Sequence, residues 1–270
     1  MADKLFKIAP DLQNTFLTKS VNGIDHEGNV VNKEVVVERP LTIFLNNQEI
    51  ITVMTIGDHP KFMAVGFLIN QNMLLPSDKI IAVDVDWESE VVVVRTDKPV
   101  DYQKKLIKKT RTSGCAMGTV FGDIMEKFDS IYLEESIHIS NKEIYNLLNT
   151  INKQPSLYLK SGAIHGCVLC NLNKPEVYFE DVGRHNAVDK IAGYIRLNSI
   201  NPSKMLIYTT GRLTSEMVIK TVQMKIPILI SRSGFTAWGV ELAQQANLSL
   251  IGRAKGKRFV ILSGAERVIF

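Results

Sequence analysis

The sequence has little cysteine and lacks long apolar runs. Its 270 residues include three cysteines, an odd number that is too small for a disulfide framework. A reducing compartment is therefore favoured. No run approaches the roughly 18 consecutive apolar residues of a membrane span. The first seven residues have neither the apolar core nor the cleavage site of a secretory signal. We expect a cytoplasmic globular protein that does not enter a membrane.

A strong net charge is also absent, since the formal value of +4 is too small to argue for nucleic-acid binding. The positive charge is instead concentrated at residues 104–111 and 253–258. Clusters of this kind can hold a phosphorylated ligand, although the usual explanation of a charge run is a solvated surface. The composition is otherwise that of a globular α/β protein of one or two domains.

Residues 1–110 are predicted to form a β-rich N-terminal part. The strand patterns lie at residues 35–38, 41–45, 49–55, 80–87 and 91–95. Asn46 and Asn47 form a plausible hairpin turn between two of them. A helix is predicted through Asn70, with Asp58 as its N-cap. We see no strand–helix–strand rhythm in this part.

Residues 111–270 are predicted to form an α/β core. Ser140 and Glu143 have the spacing of a capping box and indicate a helix through about Ile151. A hairpin over residues 161–179 and an amphipathic helix that carries Ala187 and Ile191 follow. From residue 205 onward, short apolar strands alternate with helices at 213–224 and 237–246, which is typical of a parallel sheet.

Two strand-to-helix turns in this core are polar and contain glycine. One carries Gly211 and Arg212, and the other carries Ser231 and Gly234. Turns at the carboxyl ends of parallel strands leave helix N–H groups for anionic ligands. Neither turn has the spacing of a Walker loop or a Rossmann fingerprint. The pair predicts a site for a phosphate-bearing ligand, although each turn alone equally fits tight-turn chemistry.

Cys115 lies between Gly114 and Gly118, directly after the first basic cluster. Glycines permit an unusual backbone, and nearby cations favour the thiolate, so the stretch suits a reactive cysteine. Free cysteines are nevertheless among the most buried residue types. The local sequence leaves a reactive and a structural role for Cys115 equally open.

His165, Cys167 and Cys170 invite a metal or redox interpretation, but one Cys-x-x-Cys supplies only two of the four ligands of a structural zinc site. On a regular strand, His165 and Cys167 share a face and Cys170 points away. We favour apolar packing for these thiols and expect no tightly bound zinc. Nearby, Arg184 and His185 form a polar group with Asp181, Asn186 and Asp189 at a helix start, where histidine can act in proton transfer or cap the turn.

With these residues in view, the sequence resembles the FdhD family, the formate dehydrogenase accessory sulfurtransferases. The similarity runs from Glu38 to Arg267, and its most distinctive motif is the segment Glu-Asp-Val-Gly-Arg-His-Asn-Ala-Val-Asp-Lys at 180–190. The other motifs are Ser113-Gly114-Cys115, Ser161-Gly162-Ala163-Ile164-His165, Thr210-Gly211-Arg212, Ser231-Arg232-Ser233 and Ile251-Gly252-Arg253.

The resemblance implies a cytidine-deaminase-like three-layer α/β/α core with a β-rich N-terminal subdomain, and a homodimer. It implies that Cys115 accepts sulfur as a persulfide from a cysteine desulfurase. The sulfur would pass to the Mo-bis(molybdopterin guanine dinucleotide) cofactor of the formate dehydrogenase catalytic subunit. Neither nucleic acid nor a membrane is an expected partner.

Residues 253–258 match the cofactor-binding stretch of the family, and a guanine nucleotide is the expected partial mimic of the cofactor. The predicted cofactor-binding residues are Arg253, Ala254, Lys255, Gly256, Lys257, Arg258, Gly211, Arg212, Ser231, Gly234, His165, Arg184 and His185.

The sequence departs from the family in one place. Many members carry a second cysteine three residues after the first, where this chain has Gly118. Cys115 would have to act alone, or with Cys167 or Cys170. Two other hypotheses are a cofactor-binding chaperone without persulfide chemistry and a zinc-dependent hydrolase that uses His165, Cys167 and Cys170. A deaminase is disfavoured, because its zinc-binding motifs are missing.

Overall fold

The structure is a computed structural model that describes residues 5–97, 109–112, 115–135, 137–172 and 174–270. For 109–112 and 115–123 the description is confined to the backbone. The basic cluster before Cys115 therefore falls largely outside the described residues, as do Ser113 and Gly114.

The first regular strands form an antiparallel hairpin of β1 (Thr18–Ile24) and β2 (Val30–Val36). The sequence predicted the end of β2 but not β1. Most side chains of β1 are exposed, and Asn22 and Gly23 interrupt its apolar pattern. With no buried face, this strand lacks the alternation by which strands are recognised.

A four-stranded sheet follows, formed by β3 (Arg39–Leu45), β4 (Gln48–Thr55), β5 (Ile80–Asp86) and β6 (Val91–Thr96) in the order β4-β3-β6-β5. These strands were predicted. β3 and β6 run parallel, and the other neighbours are antiparallel. Leu41, Ile43 and Leu45 point into an apolar cluster beneath α1 (Pro60–Asn70).

The start of α1 corrects one prediction. The N-cap is His59, in the left-handed conformation and without a side-chain capping bond, and Pro60 is the first helical residue. Asp58 instead forms an ion pair with the buried Lys190. The local sequence suited Asp58 as an N-cap, but its carboxylate pairs instead with Lys190, a buried cation 132 positions later in the sequence.

The core is a six-stranded mixed sheet in the order β11-β10-β12-β13-β14-β15. Only the central strands β12, β13 and β14 are parallel to one another, so the parallel-sheet prediction holds for them alone. The other neighbours pair antiparallel, including the hairpin of β14 and β15. The bounds are β10 His165–Asn171, β11 Lys174–Asp181, β12 Met205–Thr209, β13 Ile228–Ser231, β14 Ser249–Lys255 and β15 Arg258–Ser263.

Helices cover both faces of this sheet. One apolar cluster joins it to α2 (Phe121–Asp129), α5 (Arg184–Leu197), α6 (Ser215–Gln223) and α7 (Ala237–Gln245). A second cluster on the opposite face joins it to α3 (Asn141–Lys153), which begins with the predicted capping box. The three-layer α/β/α arrangement is therefore confirmed. No helix among the described residues combines the length and apolar character that crossing a membrane requires.

Short elements complete the fold. β7 (Lys109–Thr112) and β8 (Cys115–Val120) form an antiparallel pair that leads directly into α2. The five-residue helix α4 (Leu157–Ser161) precedes β10. The short strands β9 (Ile139–Ser140) and β16 (Val268–Ile269) pair in parallel.

Gly66 and Gly193 allow α1 of the N-terminal part to pack closely against α5 of the core. A Cβ atom added at Gly66 on α1 would lie 1.7 Å from the carbonyl oxygen of Asp189, and one added at Gly193 on α5 would lie 1.8 Å from that of Phe62. The two helices are thus in backbone contact, and any side chain at either position would force them apart. The division of the chain near residue 110 stays a prediction.

Candidate functional site

The two predicted turns meet at one edge of the six-stranded sheet, because β12 and β13 are parallel neighbours. The Ser231 hydroxyl donates a 2.6 Å hydrogen bond to the carbonyl oxygen of Gly211. The backbone N–H of Leu213 donates to the carbonyl oxygen of Gly234 at 2.9 Å. Neither turn opens directly into a helix, since Thr214 is the N-cap of α6 and the Thr236 side chain caps α7. Gly211, Ser231 and Gly234 are therefore brought together, as their predicted common role requires.

Arg184 joins this edge from the first position of α5. A Cβ atom added at Gly211 would lie 3.0 Å from the Cβ of Arg184 and 3.1 Å from its Cδ. Gly211 is buried, and its backbone N–H donates to the Thr209 hydroxyl at 3.1 Å. Glycine at this turn allows the arginine stem to lie directly against the backbone.

His165 lies at the same edge, at the start of β10. Its Nδ1 is 3.4 Å from the Thr210 hydroxyl, which also accepts a 2.9 Å hydrogen bond from the backbone N–H of Gly166. Burial lowers the pKa of His165, and Arg184, Arg212 and His185 lower it further. The His165 ring is therefore neutral at neutral pH, in a region whose positive charge comes from arginine.

His185 follows Arg184 on α5 and contacts the first turn of α6. Its Nε2 lies 2.8 Å from a carboxylate oxygen of Glu216. Burial lowers the pKa of His185, and the bond to Glu216 opposes this shift without cancelling it. An imidazole oriented by a carboxylate has the arrangement of a group that can accept or donate a proton.

The predicted cofactor-binding stretch, residues 253–258, lies partly at the edge of the six-stranded sheet and partly in the turn of the β14–β15 hairpin. The backbone N–H of Arg253 donates to the carbonyl oxygen of Ser233 at 2.8 Å, and its guanidinium lies 3.9 Å from a Cβ built at Gly234. Ala254 is buried in the apolar cluster beneath α3, so it presents no side chain to a ligand. The remaining residues form the exposed turn of the β14–β15 hairpin: Lys255, Gly256, Lys257 and Arg258.

The sequence predictions missed Arg232 as a member of this site. Its guanidinium stacks over the ring of Tyr158 at 5.3 Å, and its backbone N–H donates to the carbonyl oxygen of Thr209. The sequence signal that could have identified Arg232 was its position in the turn that carries Ser231 and Gly234. We name the group Arg184, Arg212, Arg232 and Arg253 the arginine edge. Such a group suits phosphate or pyrophosphate oxygens, which guanidinium binds in bidentate geometry.

Cys167 and Cys170 lie inside the sheet on opposite faces. Cys167 belongs to the apolar cluster beneath α5, and Cys170 belongs to the one beneath α3. Burial raises the pKa of both thiols well above the ordinary value. No group of three or more His, Cys, Asp or Glu residues in the described chain is placed to hold a metal ion. The two thiols therefore point to opposite faces of the sheet, as predicted, and they are not placed to share one metal ion.

Much of the distinctive segment at residues 180–190 is buried. The Lys190 ammonium lies 2.7 Å from an Asp181 carboxylate oxygen, and both side chains are fully buried. Asp181 also accepts hydrogen bonds from the Thr55 hydroxyl and the Asn186 amide. The predicted polar group at this helix start therefore separates into interior residues and the two edge residues, Arg184 and His185.

Cys115 is the first residue of β8. Its side chain lies outside the described part of the structure, and so does its distance from the arginine edge. The reactive role of Cys115 therefore stays a prediction.

Comparison with known proteins identifies the family of this chain. The FdhD/NarQ family model matches residues 36–269. The chain is 29% identical to the protein named Sulfur carrier protein FdhD from Wolinella succinogenes, over 87% of this chain and 82% of that protein. It is 28% identical to the protein of the same name from Bacillus pumilus, over 87% of this chain and 90% of that protein.

A solved structure agrees with these sequence matches. The crystal structure of a protein from Desulfotalea psychrophila, described as a formate dehydrogenase accessory protein, superposes with a TM-score of 0.75 at 26% identity. The superposition covers 93% of this chain and 98% of that protein. Since the family model spans residues 36–269, both the N-terminal sheet and the arginine edge fall within the match. The chain therefore belongs to the FdhD/NarQ family.

Proposed function

We propose that this protein is a sulfur carrier that uses Cys115 to pass persulfide sulfur to a molybdenum cofactor. The observation that carries the proposal is the match over residues 36–269 to a family whose relatives are named Sulfur carrier protein FdhD. Cys115 is the favoured carrier among the three cysteines, because Cys167 and Cys170 are buried thiols with raised pKa values. A carrier requires an accessible thiolate.

The loading step is a thiol exchange. The Cys115 thiolate attacks the terminal sulfur of a persulfide on a cysteine desulfurase, a new S–S bond forms at Cys115, and the desulfurase cysteine leaves as a thiolate. This transfer needs no outside oxidant. Gly118 leaves no second thiol in the same segment to release the sulfur prematurely as an internal disulfide. A free thiolate also requires a reducing compartment, and we therefore place the reaction in the cytoplasm.

The acceptor in this proposal is Mo-bis(molybdopterin guanine dinucleotide), destined for a formate dehydrogenase catalytic subunit. Its pyrophosphate groups match the chemistry of the arginine edge, where Arg184 lies against Gly211 and Arg253 lies beside Gly234. The description of the Desulfotalea psychrophila protein as a formate dehydrogenase accessory protein supports this destination. We carry the homodimer over from the family resemblance as part of the same proposal.

Mass spectrometry tests the sulfur step directly. The intact protein is incubated with a cysteine desulfurase and cysteine, and its mass is measured under non-reducing conditions. The expected result is a gain of one sulfur atom, which reduction removes and which Cys115→Ala abolishes.

Cys170→Ala is the matched control, since it removes a thiol of the same chain from the interior. This variant should gain sulfur as the parent does. A parent protein that gains no sulfur, or a Cys115→Ala variant that still gains it, contradicts the proposal.

A cofactor-binding chaperone without persulfide chemistry is the second candidate. The arginine edge favours it, because these residues account for anion binding without Cys115. The same measurement separates the two functions. A chaperone gains no sulfur but binds a guanine nucleotide, whereas a carrier does both.

A further inference from the structure

The four-stranded sheet contacts the segment that carries Arg184 to the arginine edge. Its strand β4 ends at Thr55, whose buried hydroxyl donates a 2.5 Å hydrogen bond to the Asp181 carboxylate. The preceding residue of β4, Met54, accepts a 2.8 Å hydrogen bond at its carbonyl oxygen from the Asn186 amide. The four-stranded sheet therefore holds the start of α5 on both sides of the arginine.

The Asp181 carboxylate links β4 to the start of α5 through its two oxygens. Oδ2 accepts the hydrogen bond from Thr55 and lies 2.7 Å from the Lys190 ammonium. Oδ1 accepts from the Asn186 amide at 2.9 Å and from the backbone N–H of Gly183, the N-cap of α5, at 3.2 Å. Hydrogen bonds to an ionised acceptor are strong. Loss of the donor on Oδ2 therefore weakens the restraint on the carboxylate, and with it the restraint on the turn that Oδ1 holds.

The position of Arg184 depends on this turn. Arg184 is the first residue of α5, directly after Gly183. Its side chain lies against Gly211, where an added Cβ atom would be 3.0 Å from the Cβ of Arg184. A binding group has to be held within about 0.5 Å of its productive position by packing and by the hydrogen bonds of its neighbours. A shift of the turn would move the guanidinium relative to the other arginines of the edge.

We propose that the four-stranded sheet positions the arginine edge, with Thr55 and Asn186 as positioning residues for Arg184. The inference rests on the proposed function, because it concerns the placement of a group that binds the cofactor's phosphates. All the predicted cofactor-binding residues lie at position 165 or later. The four-stranded sheet thus acts on ligand binding through the start of α5 rather than by contact with the ligand.

Thr55→Val tests the positioning, because valine has nearly the same shape as threonine and lacks the hydroxyl. Guanosine diphosphate is titrated into the full-length protein by calorimetry, at a temperature at which every variant is folded. The affinity of Thr55→Val should fall at least about tenfold, equivalent to 1.4 kcal/mol. Thr55→Ser keeps the donor and should recover most of the parent affinity. Thr52→Val is the matched control on the same strand and should bind as the parent does, since the Thr52 hydroxyl pairs with that of Thr42 at 2.8 Å within the sheet.

Amide hydrogen exchange, measured by mass spectrometry without nucleotide, tests the positioning independently of ligand binding. Peptides that cover residues 182–187 should exchange faster in Thr55→Val than in the parent, Thr55→Ser and Thr52→Val. The physical reason is that backbone N–H groups at the start of α5 lose protection when the turn loosens. A purely structural role of Thr55 would instead speed exchange throughout the chain and leave the nucleotide affinity of the folded protein unchanged.

The two measurements separate this inference from the proposed function. Faster exchange confined to residues 182–187, together with weaker nucleotide binding, supports the positioning role. Exchange that is unchanged in that segment or faster throughout the chain, or an unchanged nucleotide affinity of Thr55→Val, overturns it. A parent protein that binds no nucleotide contradicts the arginine edge as the nucleotide site, and the exchange measurement then decides alone whether the sheet positions the start of α5.

Discussion

The segment at residues 180–190 contributes to two regions with opposite properties. In the first, which we name the closed polar cluster, Lys190 is fully buried between the carboxylates of Asp181 and Asp58 and also donates to the carbonyl oxygen of Glu180. In the second, the arginine edge, Arg212 and Arg253 are exposed and make no salt bridge within the described residues. The closed polar cluster pairs its charges inside the protein, whereas Arg212 and Arg253 of the arginine edge keep theirs in contact with solvent.

This difference follows from solvation. A charge inside a protein requires partners, because burial removes its hydration, whereas an exposed guanidinium keeps its water until a ligand replaces it. Burial alone would lower the pKa of Lys190, but Asp181 and Asp58 more than reverse this and hold the pKa above its ordinary value. The closed polar cluster also fixes the edge, since Asp181 accepts hydrogen bonds from the backbone N–H of Gly183 and the side chain of Asn186 at the start of α5.

Breaking the closed polar cluster should have the largest effect on the free energy of unfolding. Lys190→Met removes the cation and leaves the buried Asp181 and the partly buried Asp58 without their charge partner. We expect a loss of about 3–5 kcal/mol in the free energy of unfolding, measured by urea denaturation. Lys61→Met on the exposed side of α1 is the matched control and should change it by less than about 0.5 kcal/mol. Similar stabilities of the two variants would show that the cluster contributes little.

A smaller effect on the free energy of unfolding is expected from a substitution of Glu180, which borders the closed polar cluster. Burial raises its pKa to about 7 from 4.5, although hydrogen bonds from Tyr158 and Leu157 favour the ionised form. The folded state then holds a proton that the unfolded state releases, so this residue's contribution to stability falls as the pH rises from 4.5 to 7.

Glu180→Gln removes this titration. The difference in unfolding free energy between parent and variant should shift in favour of the variant by on the order of 2 kcal/mol between pH 5 and pH 8. The absolute stability of the variant is not the test, since glutamine cannot accept from two backbone N–H groups in the same way. Parallel pH profiles of parent and variant, measured by urea denaturation at each pH, would contradict the raised pKa.

The smallest effect on stability is expected at the arginine edge. Arg253→Gln should change the unfolding free energy by less than about 0.5 kcal/mol, because the side chain is exposed. The same variant should lose most of the rise in melting temperature that guanosine diphosphate gives the parent, since a ligand that binds the native state stabilises it. Arg95→Gln should retain that rise. A parent protein whose melting temperature is unchanged by millimolar nucleotide would argue against the arginine edge as a nucleotide site.

Local patterns predicted the elements that have one buried face. Ile43 and Leu45 alternate on β3, and Ser140 with Glu143 marks the start of α3, so these elements were found from the sequence. β1 was missed because its side chains are mostly exposed. The cap assigned to Asp58 was wrong because the competing partner, Lys190, is distant in the sequence.

The candidate site was predicted only in part, because only some of its residues belong to patterns that are visible in the local sequence. Gly211 and Ser231 stood out because glycine and small polar residues after buried strands are visible locally, and their contact follows from the parallel pairing of β12 and β13. Arg232 was not predicted as a site residue, because its stacking over Tyr158 depends on a helix from a distant part of the sequence.

The sequence alone determined the α/β class, the family, the two turns and the candidate cysteine, since these depend on composition, short-range periodicity and contiguous motifs. The tertiary structure decided which polar residues are interior and which lie at the edge of the six-stranded sheet. Asp181 and Lys190 became buried partners, Arg184 and Arg253 became edge residues, and Cys167 and Cys170 were separated onto opposite faces. Burial and pairing are properties of groups brought together from distant parts of the chain, and no single segment of sequence encodes them.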